Sequence, residues 1–161
     1  MIKEIEEAII LRNNGMKNES NELLLKLVEK YPSNASILYQ CGWSFDILGE
    51  ETKAVAFYEK AIDLGLPNDE MEGAIIGLGS TYRALGDYEK SKRVFIRGIE
   101  LFPNNKAIQV FYAITLYNLS DHSNATELLL EVLLETTEDK QILEYERALK
   151  FYSKHLDDVW N

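Results

Sequence analysis

The chain has 161 residues, 46% of them hydrophobic and 27% charged, with only three prolines and nine glycines; that balance fits a globular chain built from long helices. Its formal net charge of −10, from 27 acidic against 17 basic side chains, repels phosphate backbones and anionic lipid surfaces, so general nucleic-acid binding and membrane attachment are excluded. Cys41 is the single cysteine, which rules out an intramolecular disulfide and points to a reducing, cytoplasmic setting.

The first segment, MIKEIEEAIILRNNG, carries acidic residues inside its apolar stretch and no cleavage pattern, so it is not a signal peptide. No run of about 18 apolar residues exists to cross a membrane. Instead, Ala8 and Leu11 open a helical pattern that stops at Gly15. A second helix follows through Ser20, Leu24, Leu27 and Val28 to Pro32. The third runs through Leu38, Cys41, Gly42 and Phe45 to Gly49, and the fourth through Ala54, Phe57, Tyr58, Ala61 and Ile62 to Pro67. The same order returns with Ile75, Leu78, Gly79 and Tyr82 before Gly86, then Ser91, Val94, Phe95 and Ile99 before Pro103. Gly42 to Gly79 and Gly49 to Gly86 are both steps of 37 residues. Helix, glycine turn, helix, proline stop is therefore an internal repeat. A weaker copy holds Ala113, Leu116, Ala125 and Leu129, with Ser120 in place of the turn glycine and Thr137 in place of proline. The remainder predicts one amphipathic helix, with apolar Ile142, Tyr145, Ala148, Leu149, Tyr152, Leu156 and Val159 at steps of three and four.

On these residues the chain resembles the tetratricopeptide repeat family, whose unit is a helical hairpin of 34 residues. The resemblance is fullest over 72–105, with Ile75, Leu78-Gly79, Tyr82, Gly86, Phe95 and Pro103, and good over 35–71. It is weaker over 1–34, where Glu4 and Glu7 occupy apolar places, and over 106–139. Divergent ends are expected of a solenoid whose terminal units face water. The resemblance implies an all-α fold: a right-handed α-α superhelix of about four hairpins, 1–34, 35–71, 72–105 and 106–139, closed by a capping helix over 140–159. The whole chain, 1–161, is then one solenoid.

Several local expectations follow. Glycine inside a helix costs about 0.5–1 kcal/mol relative to alanine, so Gly42 and Gly79 are expected to admit close approach of Ala54 and Ser91 respectively. Asp87, Ser20 and Asp121 are candidate caps of second helices; Asn34, Asn68 or Asp69, and Asn105 are candidate caps of first helices. Three extra residues in the second unit are expected to lengthen its connection to the third.

In the family the first (A) helix of each unit lines the concave face, with positions 2, 5, 9 and 12 turned inward. Carried onto this chain, these are Ile2, Ile5, Ile9 and Arg12, then Ser36, Tyr39, Trp43 and Asp46. The third unit supplies Gly73, Ile76, Ser80 and Arg83, and the fourth Ala107, Val110, Ile114 and Tyr117. One stripe accounts for the spacing, because steps of three or four stay on one helix face. Ile5, Ile9, Tyr39, Trp43, Ile76, Val110, Ile114 and Tyr117 would form an apolar patch rimmed by Arg12, Asp46 and Arg83, with Ser80 within it. A patch of that kind marks a contact site, rich in the aromatic and arginine side chains of binding hot spots. Tyr39 and Trp43 are the expected anchors for a docked helix or extended peptide. The open alternatives are coverage by the chain's own closing helix, or a second copy, making the protein a monomer or a weak homodimer. Some family members grip the C-terminal carboxylate of chaperones with lysine, asparagine and arginine; here Ile5, Ile9 and Gly77 stand in those places, and no such clamp is expected.

No catalytic constellation is found. His122 and His155 lack cysteine or histidine partners at ligand spacing, and Cys41 takes a core position with no histidine placed to activate it. Glu50-Glu51 and Glu131/Glu135 read as solvated faces, and GLGS at 77–80 lacks both the strand and the lysine of a phosphate loop. Asn18, Asn34, Asn118 and Asn124 lie in glycosylation sequons that matter only in a secreted chain. The sequence therefore predicts a non-enzymatic, cofactor-free interaction module with a protein or peptide partner, adaptor-like or co-chaperone-like, without nucleic acid or membrane. The alternative is an assembly protein that dimerises through the same face.

Overall fold

A computed structural model describes residues 2–160, the side chain of Ile2 excepted, and these residues form ten helices and no strand. They pair as four hairpins: α1 (Ile2–Asn13) with α2 (Lys17–Lys30), α3 (Ala35–Ile47) with α4 (Glu51–Leu64), α5 (Asn68–Ala84) with α6 (Tyr88–Leu101), and α7 (Lys106–Asn118) with α8 (His122–Thr136). Two short helices, α9 (Lys140–Glu144) and α10 (Glu146–Ser153), close the fold.

The same backbone hinge joins the helices of every hairpin. An amide reaches back five residues to a carbonyl: Met16 to Leu11 at 2.9 Å, Glu50 to Phe45 at 3.0 Å, Asp87 to Tyr82 at 2.9 Å and Asp121 to Leu116 at 2.9 Å. This is the Schellman closure, which needs a left-handed residue at the turn. Gly15, Gly49 and Gly86 supply it at φ of 84°, 73° and 80°. In the fourth hairpin Ser120 is forced into the same conformation at φ 62°.

Two of the expected caps form: Asn34 accepts from the Ile37 amide at 3.0 Å and Asn105 from the Ile108 amide at 3.1 Å. The others are corrected. Ser20 lies inside α2 and donates to the Ala8 carbonyl at 2.7 Å, tying α2 to α1. Asp87 and Asp121 stand at the N-cap positions of α6 and α8 without capping a backbone amide; they accept from Lys90 Nζ and Asn124 Nδ2. Pro67 precedes α5, and neither Asn68 nor Asp69 caps it. The three extra residues do not lengthen the connection. They extend α5 to 17 residues against 13 in α3 and α7.

The single closing helix expected over 140–159 is likewise corrected. Tyr145 leaves helical geometry (φ −104°, ψ 12°) and separates α9 from α10, and residues 154–160 are not helical. The reason is tertiary: Trp160 folds back onto α10, with ring centroids 5.9 Å from Phe151 and 6.0 Å from Tyr152. α10 still packs on α8 and so covers part of the last hairpin.

Each helix packs on the next in the chain from α1 to α8, as stacked hairpins require. Leu24, Ile37, Leu38, Tyr58 and Phe95 are fully buried between layers, each such aliphatic or aromatic side chain contributing about 1.5–3 kcal/mol. Gly42 and Gly79 open space for rings rather than for Ala54 and Ser91. A Cβ at Gly42 would lie 2.8 Å from Tyr58 Cδ1, and one at Gly79 would lie 2.7 Å from Phe95 Cε1. Ser91 instead hydrogen-bonds Thr115 at 2.9 Å in the next hairpin.

Candidate functional site

Consecutive A helices touch: α1 meets α3, α3 meets α5 and α5 meets α7. The second helices make no comparable contact with one another among the described residues. The stack therefore bends toward the A side, and the row of A-helix residues lies on its inner face.

Arg12, in the last turn of α1, is only 7% exposed. Its guanidinium carbon lies over the Trp43 ring, 3.8 Å from the ring centroid, and its Nη1 is buried without a hydrogen-bond partner. Burial pulls its pKa below the ordinary value, yet an arginine remains a cation at neutral pH. Trp43 itself is 40% exposed. Tyr39, the other expected anchor, is buried. It sits 6.1 Å from the Trp43 ring and 6.2 Å from Tyr58, and it lies against Gly73 of α5, where a Cβ would come within 3.1 Å of its Cζ. Tyr39 thus supports the inner surface and does not form it.

Asp46 is half-buried and accepts from Thr81 Oγ1 at 3.2 Å; burial raises the pKa of its carboxyl from the ordinary value. Arg83, at the equivalent place on α5, donates from Nη1 to Asn118 Oδ1 at 3.3 Å, while its Nε is buried and unbonded. Asn118 was legible only as part of a sequon; nothing in its spacing marks it as the Arg83 acceptor. Ser80 turns inward to its own helix, donating to the Ile76 carbonyl at 2.7 Å. Ser36 is tied to Glu70 at the other end of the row.

Ile5, Ile9, Ile76, Val110 and Gly73 are half-buried, while Ile114 and Ala107 are exposed. Tyr117, 63% exposed, leans on His122 with centroids 4.8 Å apart. Ile2 falls outside the residues whose side chains are described. The open apolar part of the face is thus Trp43, Ile114 and Tyr117, set among half-buried aliphatic groups and two incompletely bonded arginines.

The remaining chemistry is quiet. Burial pushes the Cys41 thiol up to about 12, so it is not a thiolate at neutral pH. Among the described residues, no three His, Cys, Asp or Glu side chains gather as a metal site, and no helix is long and apolar enough to cross a membrane. A separate cleft of about 560 Å³ between α8 and α10 is lined by Glu131, Glu135, Lys150, Lys154 and His155 together with Phe151 and Ser153.

Stacked helical hairpins with an inward row on each first helix define a repeat solenoid. The family described as "Tetratrico peptide repeat" matches residues 35–156, and the chain belongs to that family. It is 29% identical over 105 residues to Superkiller protein 3 of Saccharomyces cerevisiae; the match takes 61% of this chain but only 7% of the yeast protein's length. Among solved structures it is similar to MamA, with TM-score 0.72 and 18% identity over 90% of this chain and 74% of that one. A tetratricopeptide repeat protein from Parabacteroides merdae gives TM-score 0.75 and 19% identity over 95% of this chain and 59% of the other. YrrB, described as a TPR protein with an unusual peptide-binding site, gives 0.64 and 17% over 97% and 91%. At these identities the likeness establishes the fold, a right-handed α-α superhelix, which is a protein-interaction scaffold.

Proposed function

We propose that this chain is a non-catalytic, cytoplasmic adaptor that holds a peptide or helix against the inner face of α1, α3, α5 and α7. One observation carries the reading: Trp43, Ile114 and Tyr117 are exposed on the A-helix row that the curvature turns inward. Exposed aromatic side chains beside arginine are the composition of a binding hot spot. The likeness to YrrB, with its described peptide-binding site, supports the same reading, and the lone, buried Cys41 supports the reducing compartment.

The test is recovery of partners on wild-type protein and on a Trp43→Ala/Tyr117→Ala double variant, with bound polypeptides identified by mass spectrometry. Loss of partners from the variant, with unchanged helicity, is the expected result. Equal recovery by both proteins places the function elsewhere. A dimer whose mass persists on dilution, and which the double variant dissociates, would instead assign the face to a second copy.

A further inference from the structure

We propose that the outer side of α10, at the C-terminal end of the stack, is the seat of a second copy of this chain, paired tail to tail. The end of a solenoid is ordinarily closed by a polar outer face. The first hairpin follows that rule: Lys3, Glu6 and Glu7 of α1 are exposed, with Ile10 as the large apolar side chain among them. The last hairpin's closing helix does not. Tyr145, Phe151, Tyr152 and Trp160 are between 51% and 65% exposed, and the Trp160 ring rests on Phe151 and Tyr152, so the rings form one aromatic surface. A contiguous apolar patch on a protein surface marks a contact, and tyrosine and tryptophan are among the side chains in which binding energy concentrates.

The patch carries its own counter-charges, and these select the occupant. A shallow cleft of about 440 Å³ is lined by Glu144, Tyr145, Arg147, Ala148, Phe151 and Tyr152. Neither Glu144 nor Arg147 has a hydrogen-bond or ion-pair partner among the described residues. In a pair related by a two-fold axis a surface meets itself, so the acid of each copy serves the base of the other. Ala148, exposed between Tyr145 and Tyr152 at steps of three and four, leaves a gap between bulky rings that takes a ring from the opposite copy.

The net charge of −10 opposes self-association in general, but one acid and one base make this surface locally neutral. A head-to-tail arrangement would set the aromatic rings against the charged face of α1 and would leave a growing end. Tail-to-tail pairing matches rings with rings and closes at two copies. α10 packs on α8 and makes no comparable contact with an A helix among the described residues. Pairing through it therefore leaves Trp43, Ile114 and Tyr117 open in both copies. Two inner faces in one particle hold a partner with two binding segments more firmly than either face alone.

The experiment is mass by light scattering over a concentration series, on the full chain and on Glu144→Arg, Arg147→Glu, the two combined, and Ala148→Glu, with helicity checked for each. Expected is a wild-type mass that rises from one chain to two. Each single reversal sets like charges together and should weaken pairing by about tenfold. Mixing the two single variants in equal amounts should restore it, because one copy then brings two bases and the other two acids; so should the combined variant. Damage to α10 alone would not be rescued in this way. Ala148→Glu should leave single chains, while Trp43→Ala/Tyr117→Ala should pair like wild type. Amide exchange in α9 and α10, fast in dilute solution, should slow as the concentration rises. A single-chain mass at every concentration overturns the proposal, and so does a dimer indifferent to the charge reversals. Mass growing past two chains means head-to-tail stacking and overturns it too. A dimer that the Trp43→Ala/Tyr117→Ala variant dissociates puts the second copy on the inner face and overturns the seat on α10.

Discussion

Ser120 shows how strictly the hinge dictates backbone shape. Three hairpins put glycine at the left-handed position, and the fourth holds a serine there at φ 62° with the same closure, Asp121 to Leu116. A side chain in that region costs about 1–2 kcal/mol, part of which glycine returns through the greater freedom of the unfolded chain. Ser120→Gly is expected to stabilise the protein by roughly 0.5–1 kcal/mol, read as a higher urea midpoint at unchanged slope. Gly79 is the converse case. Its backbone is ordinary helix, and the constraint is the Phe95 ring 2.7 Å from where a Cβ would stand. Gly79→Ala should therefore cost about 1–3 kcal/mol; a variant as stable as wild type would mean that the ring moves aside freely.

At the scale of elements, Asp46 joins three helices: it sits on α3, takes a hydrogen bond from Thr81 on α5, and interacts with Tyr58 on α4. Burial raises its pKa above the ordinary 3.8. The folded protein thus holds this proton more tightly than the unfolded chain, so protonation favours folding. That contribution is present below the unfolded pKa and is lost as the pH rises through the folded one. Asp46→Asn should remove this dependence, so that stability relative to wild type improves as the pH rises above the ordinary carboxylate value of 3.8; denaturant titrations over a series of pH values read it directly. An unchanged pH profile would show that Asp46 ionises as freely in the folded state as in the unfolded chain.

The elements also show what a sequence carries and what it does not. The hinges were legible because a left-handed turn restricts residue type locally, and the Asn34 and Asn105 caps because they lie one residue outside a helix. Tyr39 was not legible as a support. Its burial depends on α5 being a turn longer than its counterparts and on Gly73 meeting the ring, both outcomes of packing between units. The stop at Ser153 was hidden for a similar reason. The apolar period of 142–159 satisfies a helix, but Trp160 returning onto Phe151 and Tyr152 is a tertiary preference. In the groove, the stripe itself was readable from helical spacing, while the unbonded state of Arg12 and Arg83 depends on which neighbours arrive.

Across the whole molecule, stability should grade from centre to end. In a stacked solenoid each unit is held only by its own interior and its neighbours, and here the fully buried large side chains Leu24, Ile37, Leu38, Tyr58, Phe95 and Ile108 lie from α2 to α7. α9 contains no buried residue and α10 only Ser153, while Phe151, Tyr152 and Trp160 remain half exposed or more. Amide exchange should accordingly be slowest in α3 to α6 and fastest in α9 and α10, which open without global unfolding. Phe151→Ala, which removes the ring that stacks on His155 at 4.4 Å and meets Trp160, should speed exchange in α10 and along α8, the helix it covers. The amides of α3 and α4 should keep their wild-type rates, because the only route from α10 to them runs through successive interfaces that the substitution leaves intact. Faster exchange throughout the chain would mean that the four hairpins unfold as one cooperative unit, and the nearest-neighbour account of this solenoid would fail.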